Sequence, residues 1–251
     1  MTGASSAWVR QFHPAPEAAT RLVCFPHAGG SAPFYHPVSQ RLSPAVDVLA
    51  IQYPGRQDRR HEPCVETVEA LAEQLVDELR PWLDKPVTLF GHSMGASVAF
   101  EVARRLEAAG TVPLGLFASG RRAPSRPRDE RVHESDDDGL IAEMKRLSGT
   151  DAAVLGDEEL LRMVLPAIRA DYRAAELYRY APGPRLNCPI YALVGEDDPK
   201  VTVDEATSWA DHTNGPFDIK VFKGGHFYIN ANASAVMDAI EAHIEGAAPV
   251  S

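Results

Sequence analysis

Short apolar runs alternate along the chain with longer stretches of helical periodicity. The runs Arg21–Phe25, Val46–Tyr53, Val87–Phe90, Leu114–Ala118, Ile190–Val194 and Phe217–Phe222 read as strands. Several are rich in Val, Ile and Leu and apolar on both faces, as buried parallel strands are. Helices lie between them. In Glu66–Leu83, residues Leu71, Leu75 and Leu79 share one face. Ala96–Ala109 ends at Gly110, a C′ residue able to take positive φ. Val203–His212 follows Thr202, and Glu205 completes a capping-box pattern. Near the end, Val236, Ile240 and Ile244 recur on one face. Strand and helix alternating in this way predict an α/β fold, a mostly parallel central sheet flanked by helices.

Arg121–Tyr180 breaks the alternation. It opens on the Arg/Pro-rich "RRAPSRPRDER", continues through the acidic "ESDDD", and holds no convincing strand. Leu140, Met144 and Leu147 are spaced to share a face, as are Leu165, Ile168, Tyr172 and Ala175. The expectation is a helical lid insertion over residues 121–185, covering a pocket at the strand ends. An ordinary pair of crossover helices is the plainer alternative.

Length and composition narrow the picture. A chain of 251 residues with 45% hydrophobic content has ample material for a core, and one domain over residues 1–251 is expected. The net charge of −10 argues against a nucleic-acid partner, which needs a concentrated basic face. Cys24, Cys64 and Cys188 are odd in number and lie far apart without C-x-x-C spacing. A disulfide framework or zinc ribbon is therefore not expected, and a reducing compartment is favoured. Met1–Phe12 has no apolar signal core, and no run approaches a membrane span. A cytoplasmic protein with no membrane partner is expected.

The most informative stretch is "VTLFGHSMGASVAFEVARRL". Gly91-His92-Ser93-Met94-Gly95 matches G-x-S-x-G, which is weak alone but here directly follows a predicted strand and opens a predicted helix. A sharp turn there lifts Ser93 Oγ above the sheet, and glycines at 91 and 95 avoid side-chain collision. The Met94 amide, at the helix start, is then available to an oxyanion, aided by the helix N-terminus.

A serine hydroxyl needs a base, and in such folds the chain order is Ser, acid, His. In "FDIKVFKGGHFYIN" a strand, then Gly224 and Gly225, precede His226, which points to His226 as general base. His212 and His243 lie in polar helical contexts and are expected to be solvated. The acid should follow an earlier strand, and "PIYALVGEDDPKV" offers Glu196, Asp197 and Asp198. Chemistry alone does not choose among them; Pro199 biases Asp198 toward extended backbone. A metal site would need His and carboxylates at ligand spacing such as H-E-x-x-H, which is absent, so no metal is assigned. The glycines of "FPHAGGS" do not form a phosphate loop either, since G-x-x-x-x-G-K-[ST] is missing.

Taken together, "FPHAGGS", "QYPGRQDR", "GHSMG", "GEDDPKV" and "GGHFYIN" resemble the type II thioesterases, the stand-alone editing enzymes of polyketide and nonribosomal peptide synthesis. The resemblance runs from about Val23 to Ile244, in the family's order and spacing. It implies an α/β-hydrolase fold with a helical lid, Ser93 as nucleophile and His226 as base. The family's G-x-x-D-P pattern places the acid at Asp198. It also implies an oxyanion hole formed by the backbone N–H of Ala28 with that of Met94. The proline-rich "HPVSQRLSP" departs from the pattern and predicts a late start for the helix that follows the Ala28 loop.

The implied activity is hydrolysis of acyl thioesters carried on the phosphopantetheine arm of acyl or peptidyl carrier proteins, through an acyl-enzyme. No cofactor of the enzyme's own is implied, since the carrier brings the phosphopantetheine. Carriers in such pathways are generally acidic, so docking to a chain of net charge −10 calls for a local basic patch. Arg56, Arg59 and Arg60 form one candidate cluster; Arg121, Arg122, Arg126, Arg128 and Arg131 form the other. Solvated surface charge, or pairing with Asp129 and Glu130, is the bland alternative. The same triad would serve a carboxylesterase or lipase acting on oxyesters, and a non-enzymatic α/β-hydrolase-like binding protein is a further rival.

Overall fold

A computed structural model of the chain describes residues 6–147 and 158–247. Its centre is a 7-stranded sheet in the order β1-β3-β2-β4-β5-β6-β7. The strands are β1 (Val9–Arg10), β2 (Arg21–Phe25), β3 (Asp47–Ile51), β4 (Val87–His92), β5 (Gly115–Ser119), β6 (Ile190–Gly195) and β7 (Phe217–Phe222). β1 pairs antiparallel with β3, and every other pairing is parallel.

Side-chain alternation along the strands divides the core into the two faces of the sheet. Val23 and Phe25 of β2 pack on one side with α2 (Val68–Leu79) and α3 (Met94–Ala108), through Leu71, Leu75, Val98 and Val102. Leu22 and Cys24 face the other side, under α1 (His36–Leu42) and the last helix, α7 (Ala233–Ala247), where Val236, Ile240 and Ile244 are buried. All six predicted strands are present, two with the predicted ends and four with ends shifted by one or two residues.

The deviations have local causes. The helix predicted over Glu66–Leu83 is α only to Leu79, and Pro81 sits in the 3-10 turn Arg80–Trp82 that closes it. Val203–His212 divides into α6 (Val203–Thr207), capped reciprocally by Thr202 and Glu205 as predicted, and a 3-10 turn. After the Ala28 loop a 3-10 turn, Ala32–Tyr35, precedes α1, so the α-helix starts late as expected. The expectation that His212 and His243 are solvated is overturned. His212 is buried and bonds Ser125 Oγ at 2.9 Å, and the half-buried His243 bonds Tyr191 OH at 3.1 Å.

Between β5 and β6 lie α4 (Asp137–Leu147) and α5 (Glu158–Leu177). The predicted faces are the buried ones: Leu140, Met144, Leu165, Ile168 and Tyr172 form a separate apolar cluster, with Ala28 against it. Residues 148–157 of the predicted insertion lie outside the described residues.

The strand order places the site. From β2 the chain moves to β3 on one side, then crosses back past β2 to β4 and proceeds through β5, β6 and β7 on the other. The reversal falls between β2 and β4, and the crevice at the carboxyl ends of such a pair is where open α/β sheets bind ligands. The loop carrying Ala28 follows β2, and Ser93 follows β4.

Candidate active site

Ser93 is held in a backbone conformation that few non-glycine residues adopt, with φ 54° and ψ −120°. It is fixed from both sides, its amide donating to Ser119 O at 2.8 Å and its carbonyl accepting from Ala96 N at 3.0 Å. The flanking glycines are required by space. A Cβ on Gly91 would overlap the Gly95 carbonyl, and one on Gly95 would overlap the backbone of Phe25 and Pro26. Helix α3 starts at Met94 rather than at the predicted Ala96, so the turn has no slack between nucleophile and helix.

The histidine and acid meet Ser93 as the sequence reading expects. Ser93 Oγ lies 2.9 Å from His226 Nε2. His226 Nδ1 faces both oxygens of Asp198, at 3.0 Å and 2.9 Å. The Asp198 side chain has no exposed surface, whereas Glu196 and Asp197 are exposed. The Lys200 amide donates to Asp198 Oδ1 at 2.8 Å and holds the carboxylate in place. Gly195 gives the two loops room, because a Cβ there would overlap the Gly224 and Gly225 carbonyls. Of the three acidic residues, Asp198 is the one the fold places against His226.

His92 is buried beneath His226, ring centroids 5.1 Å apart. Its Nδ1 lies 2.9 Å from Ser119 Oγ, which is 2.6 Å from Tyr228 OH. Burial, with the neighbouring His226 and His27, holds His92 well below the ordinary histidine range, so it stays neutral.

The loop after β2 is pinned from an unexpected direction. Gly29 N donates to Asp171 Oδ2 at 2.7 Å, and Asp171 lies on α5. Arg56 grips the same carboxylate with both terminal nitrogens, at 2.5 Å and 2.8 Å, and donates to Gly30 O at 3.1 Å. Arg56 and Asp171 are both buried. Burial alone would lower the Arg56 pKa, but the carboxylate outweighs it and raises it. Gln52 Oε1 and Tyr35 OH secure neighbouring backbone, accepting from Ala32 N at 2.9 Å and donating to Phe25 O at 2.7 Å. Among the described residues, the amides of Ala28 and Met94 have no hydrogen-bond acceptor.

Sequence reasoning missed Asp171 altogether and misplaced Arg56 in a docking cluster. No spacing signals a contact across 115 residues; the one available hint was an acid on the otherwise apolar face of Leu165, Ile168, Tyr172 and Ala175. The remaining two members of that cluster differ. Arg59 is buried over the Trp8 ring and paired with Glu62, leaving Arg60 exposed.

The second arginine cluster needs the same correction in part. Arg122 is buried, paired with Glu130 at 2.5 Å and donating to Lys200 O. Arg121 turns inward to Ser97 Oγ and Ala175 O. Neither offers a free guanidinium to a docking partner. Arg126 and Arg131 are exposed, but Arg126 Nε donates to Ser208 Oγ at 2.9 Å, Arg131 pairs with Asp129 at 3.4 Å as the alternative reading expected, and the half-buried Arg128 is paired with Glu205.

Ser93, His226, Ala28 and His27 line one cavity with Tyr172, Ala175 and Glu176 of α5 and Leu147 of α4. A larger cavity of about 380 Å³ adjoins it, sharing His27, Ala28, Leu147, Tyr172 and Phe227. Its further wall is apolar, with Phe34, Met144, Val164 and Ile168. On the opposite side, Arg121, Ala175 and Glu176 also border a cleft lined by Arg122, Arg126, Arg128 and Arg179. Among the described residues, no group of three or more His, Cys, Asp or Glu is arranged to hold a metal, and no helix is long and apolar enough to cross a membrane.

A serine on a strained strand-to-helix turn, hydrogen-bonded to a histidine backed by a buried aspartate at the switch point of a parallel sheet, defines an α/β-hydrolase. The profile of the thioesterase domain matches residues 20–244. The probable cadicidin biosynthesis thioesterase of Streptomyces griseus is 56% identical over 98% of this chain and 69% of its own length. Thioesterase PikA5 of Streptomyces venezuelae is 52% identical over 96% of this chain and 86% of its own. The solved type II thioesterase BorB of the borrelidin cluster superposes with a TM-score of 0.91 at 55% identity, covering 96% of this chain and 98% of BorB. The chain therefore belongs to the thioesterase family, among the type II thioesterases of polyketide and nonribosomal peptide pathways, and is a thioester hydrolase.

Proposed function

We propose that the protein hydrolyses acyl groups from the phosphopantetheine thiol of acyl or peptidyl carrier proteins. The observation that carries this is the unbroken chain from Ser93 Oγ through His226 to Asp198, opening on a cavity that Ala28 also lines. Ser93 Oγ attacks the thioester carbonyl while His226 Nε2 takes its proton. The Ala28 and Met94 amides hold the resulting oxyanion, an arrangement in which one donor is typically worth about 3–4 kcal/mol. The C–S bond breaks, His226 returns the proton to the leaving sulfur, and an ester on Ser93 remains. Water, deprotonated by His226, then attacks that ester. A free acid leaves and Ser93 regains its proton. Asp198 fixes the imidazole tautomer and stabilises its charged form throughout.

The apolar cavity between α4, α5 and the Ala28 loop accommodates the acyl chain, with the two helices serving as its lid. The arginine-lined cleft on the other side offers a path for the carrier's arm. Arg126 and Arg128, which line it, and the exposed Arg131 are the remaining candidates for carrier docking. A panel of carriers loaded with acyl groups of different length tests this reading. Release of free acid and holo-carrier, with matched oxyesters turned over far more slowly, is the expected result. Faster turnover of the oxyesters would replace it with a carboxylesterase.

A further inference from the structure

Among the described residues, Phe34 alone lines both the apolar cavity assigned to the acyl chain and a second cavity of about 360 Å³. Its ring stands between one ring of each. It meets His27 of the first cavity edge-on at 4.9 Å between centroids, and Tyr35 of the second at 5.2 Å. Phe34 is carried on the 3-10 turn Ala32–Tyr35, whose backbone is held by Gln52 Oε1 on Ala32 N at 2.9 Å and by Ser31 O on Phe34 N at 3.1 Å. The turn is thus fixed, and one half-buried side chain forms the partition between the two cavities.

The second cavity suits hydrocarbon. It lies between α1 and α7, on the sheet face opposite α2 and α3, with Cys24, Val38, Phe90, Val236, Met237 and Ile240 in its wall. No Asp, Glu, Lys, Arg or His lines it among the described residues. Burial pushes the Cys24 thiol above the ordinary cysteine range, so it stays protonated and brings no charge. The Tyr35 hydroxyl is already spent on Phe25 O at 2.7 Å, and Asn230, the remaining polar residue of the wall, is exposed. An alkyl chain loses no hydrogen bond on entering such a space, whereas a polar group would find few partners there.

The cavities follow one another from the nucleophile outward. The one holding Ser93 shares His27, Ala28 and Phe227 with the first apolar cavity, and that cavity shares Phe34 with the second. An acyl chain attached at Ser93 therefore has the Phe34 ring between it and further apolar space. On these grounds, and resting on the thioesterase reading above, we infer that Phe34 is the stop that sets the longest acyl chain the enzyme turns over, and that the cavity behind it is a latent extension of the acyl site.

The test uses butyryl and dodecanoyl thioesters of coenzyme A with wild type, Phe34→Ala and the double variant Phe34→Ala, Met237→Trp. The readout is the ratio of kcat/KM for dodecanoyl to that for butyryl. That ratio rises at least about tenfold in Phe34→Ala, since each methylene that gains an apolar site is worth about that much or more. It falls back toward the wild-type value in the double variant, where the indole fills the second cavity from its Met237 wall. Labelling of Ser93 by a fluorophosphonate reports an intact site in each variant. If Phe34→Ala does not label, Phe34→Leu carries the same comparison. An unchanged ratio in a variant that labels normally, or a raised ratio that Met237→Trp leaves untouched, overturns the inference. Wild-type protein that hydrolyses neither thioester would instead overturn the thioesterase reading, so the two failures are distinguishable.

Discussion

The Gly29 amide donates a 2.7 Å hydrogen bond to Asp171 Oδ2 across 142 positions of sequence. This ties the loop that follows β2 to helix α5, and buried Arg56 neutralises the shared carboxylate. The Ala28 amide is thus positioned by a charge pair belonging to neither the triad nor the loop itself. Breaking a buried pair by removing one partner typically costs about 3–5 kcal/mol, because the other charge stays behind. Asp171→Ala is expected to lose stability of that order and to lower kcat at least about tenfold, since small misplacements of catalytic groups are costly. The double variant Arg56→Met, Asp171→Leu should regain much of the stability but not the kcat. Urea denaturation alongside steady-state kinetics separates the two effects. Full recovery of kcat in the double variant would show that the pair only stabilises the fold.

Gly95 permits the closest backbone approach at the nucleophile turn, against the carbonyls of Phe25 and Pro26. Gly95→Ala forces β2 and the start of α3 apart. The expected result is loss of soluble protein, or a cooperative unfolding transition at markedly lower temperature, rather than a folded enzyme with altered KM. A soluble variant with wild-type melting would contradict the packing described.

Glu130 joins the segment after β5 to the acid loop, accepting from Lys200 Nζ at 2.6 Å and Arg122 at 2.5 Å. Burial would raise its pKa, but these cations outweigh burial and hold it at about 2. An unfolded glutamate titrates near about 4.3, so between these values the unfolded chain binds more protons and stability rises with pH. The contribution is whole above the unfolded value and is lost as pH falls toward the folded one. Thermal melts of wild type and Glu130→Gln should therefore differ most near neutral pH, with the gap closing as the pH drops below about 4. A gap independent of pH would refute the charged pairing.

Arg126 is exposed on the arginine-lined cleft and Arg131, paired with Asp129, is exposed a few residues further along the chain, whereas Arg121 and Arg122 are held by internal partners. Charge reversal of Arg126 and Arg131 together should raise KM several-fold for an acyl-carrier substrate and leave small soluble thioesters unaffected, with the difference shrinking in high salt. Equal losses on both substrates would remove these residues from docking.

How much was legible in sequence follows from how local each feature is. The nucleophile turn was readable because Gly91, Ser93 and Gly95 lie within one turn and each has its own steric reason. His226 was readable from the strand and glycines before it. Among Glu196, Asp197 and Asp198, only three-dimensional packing distinguishes the buried carboxylate from its exposed neighbours. The Arg56–Asp171 pair left no pattern, since its partners lie on a loop and a helix joined only by folding. In the sequence Arg56 looks like surface charge. β1 was missed for a different reason: at two residues it has no periodicity to detect.

The proposed mechanism requires Ser93 to carry the acyl group between thioester and water. Intact-protein mass spectrometry after rapid mixing with an acyl-loaded carrier protein tests it most directly, with Ser93→Ala as the comparison. A transient mass increase equal to the acyl group, mapped to Ser93, is expected, with free acid and holo-carrier as products. Ser93→Ala should be folded, unmodified and slower by at least about a thousandfold. Hydrolysis at near-wild-type rate by Ser93→Ala, or acylation mapped to another residue, would contradict it.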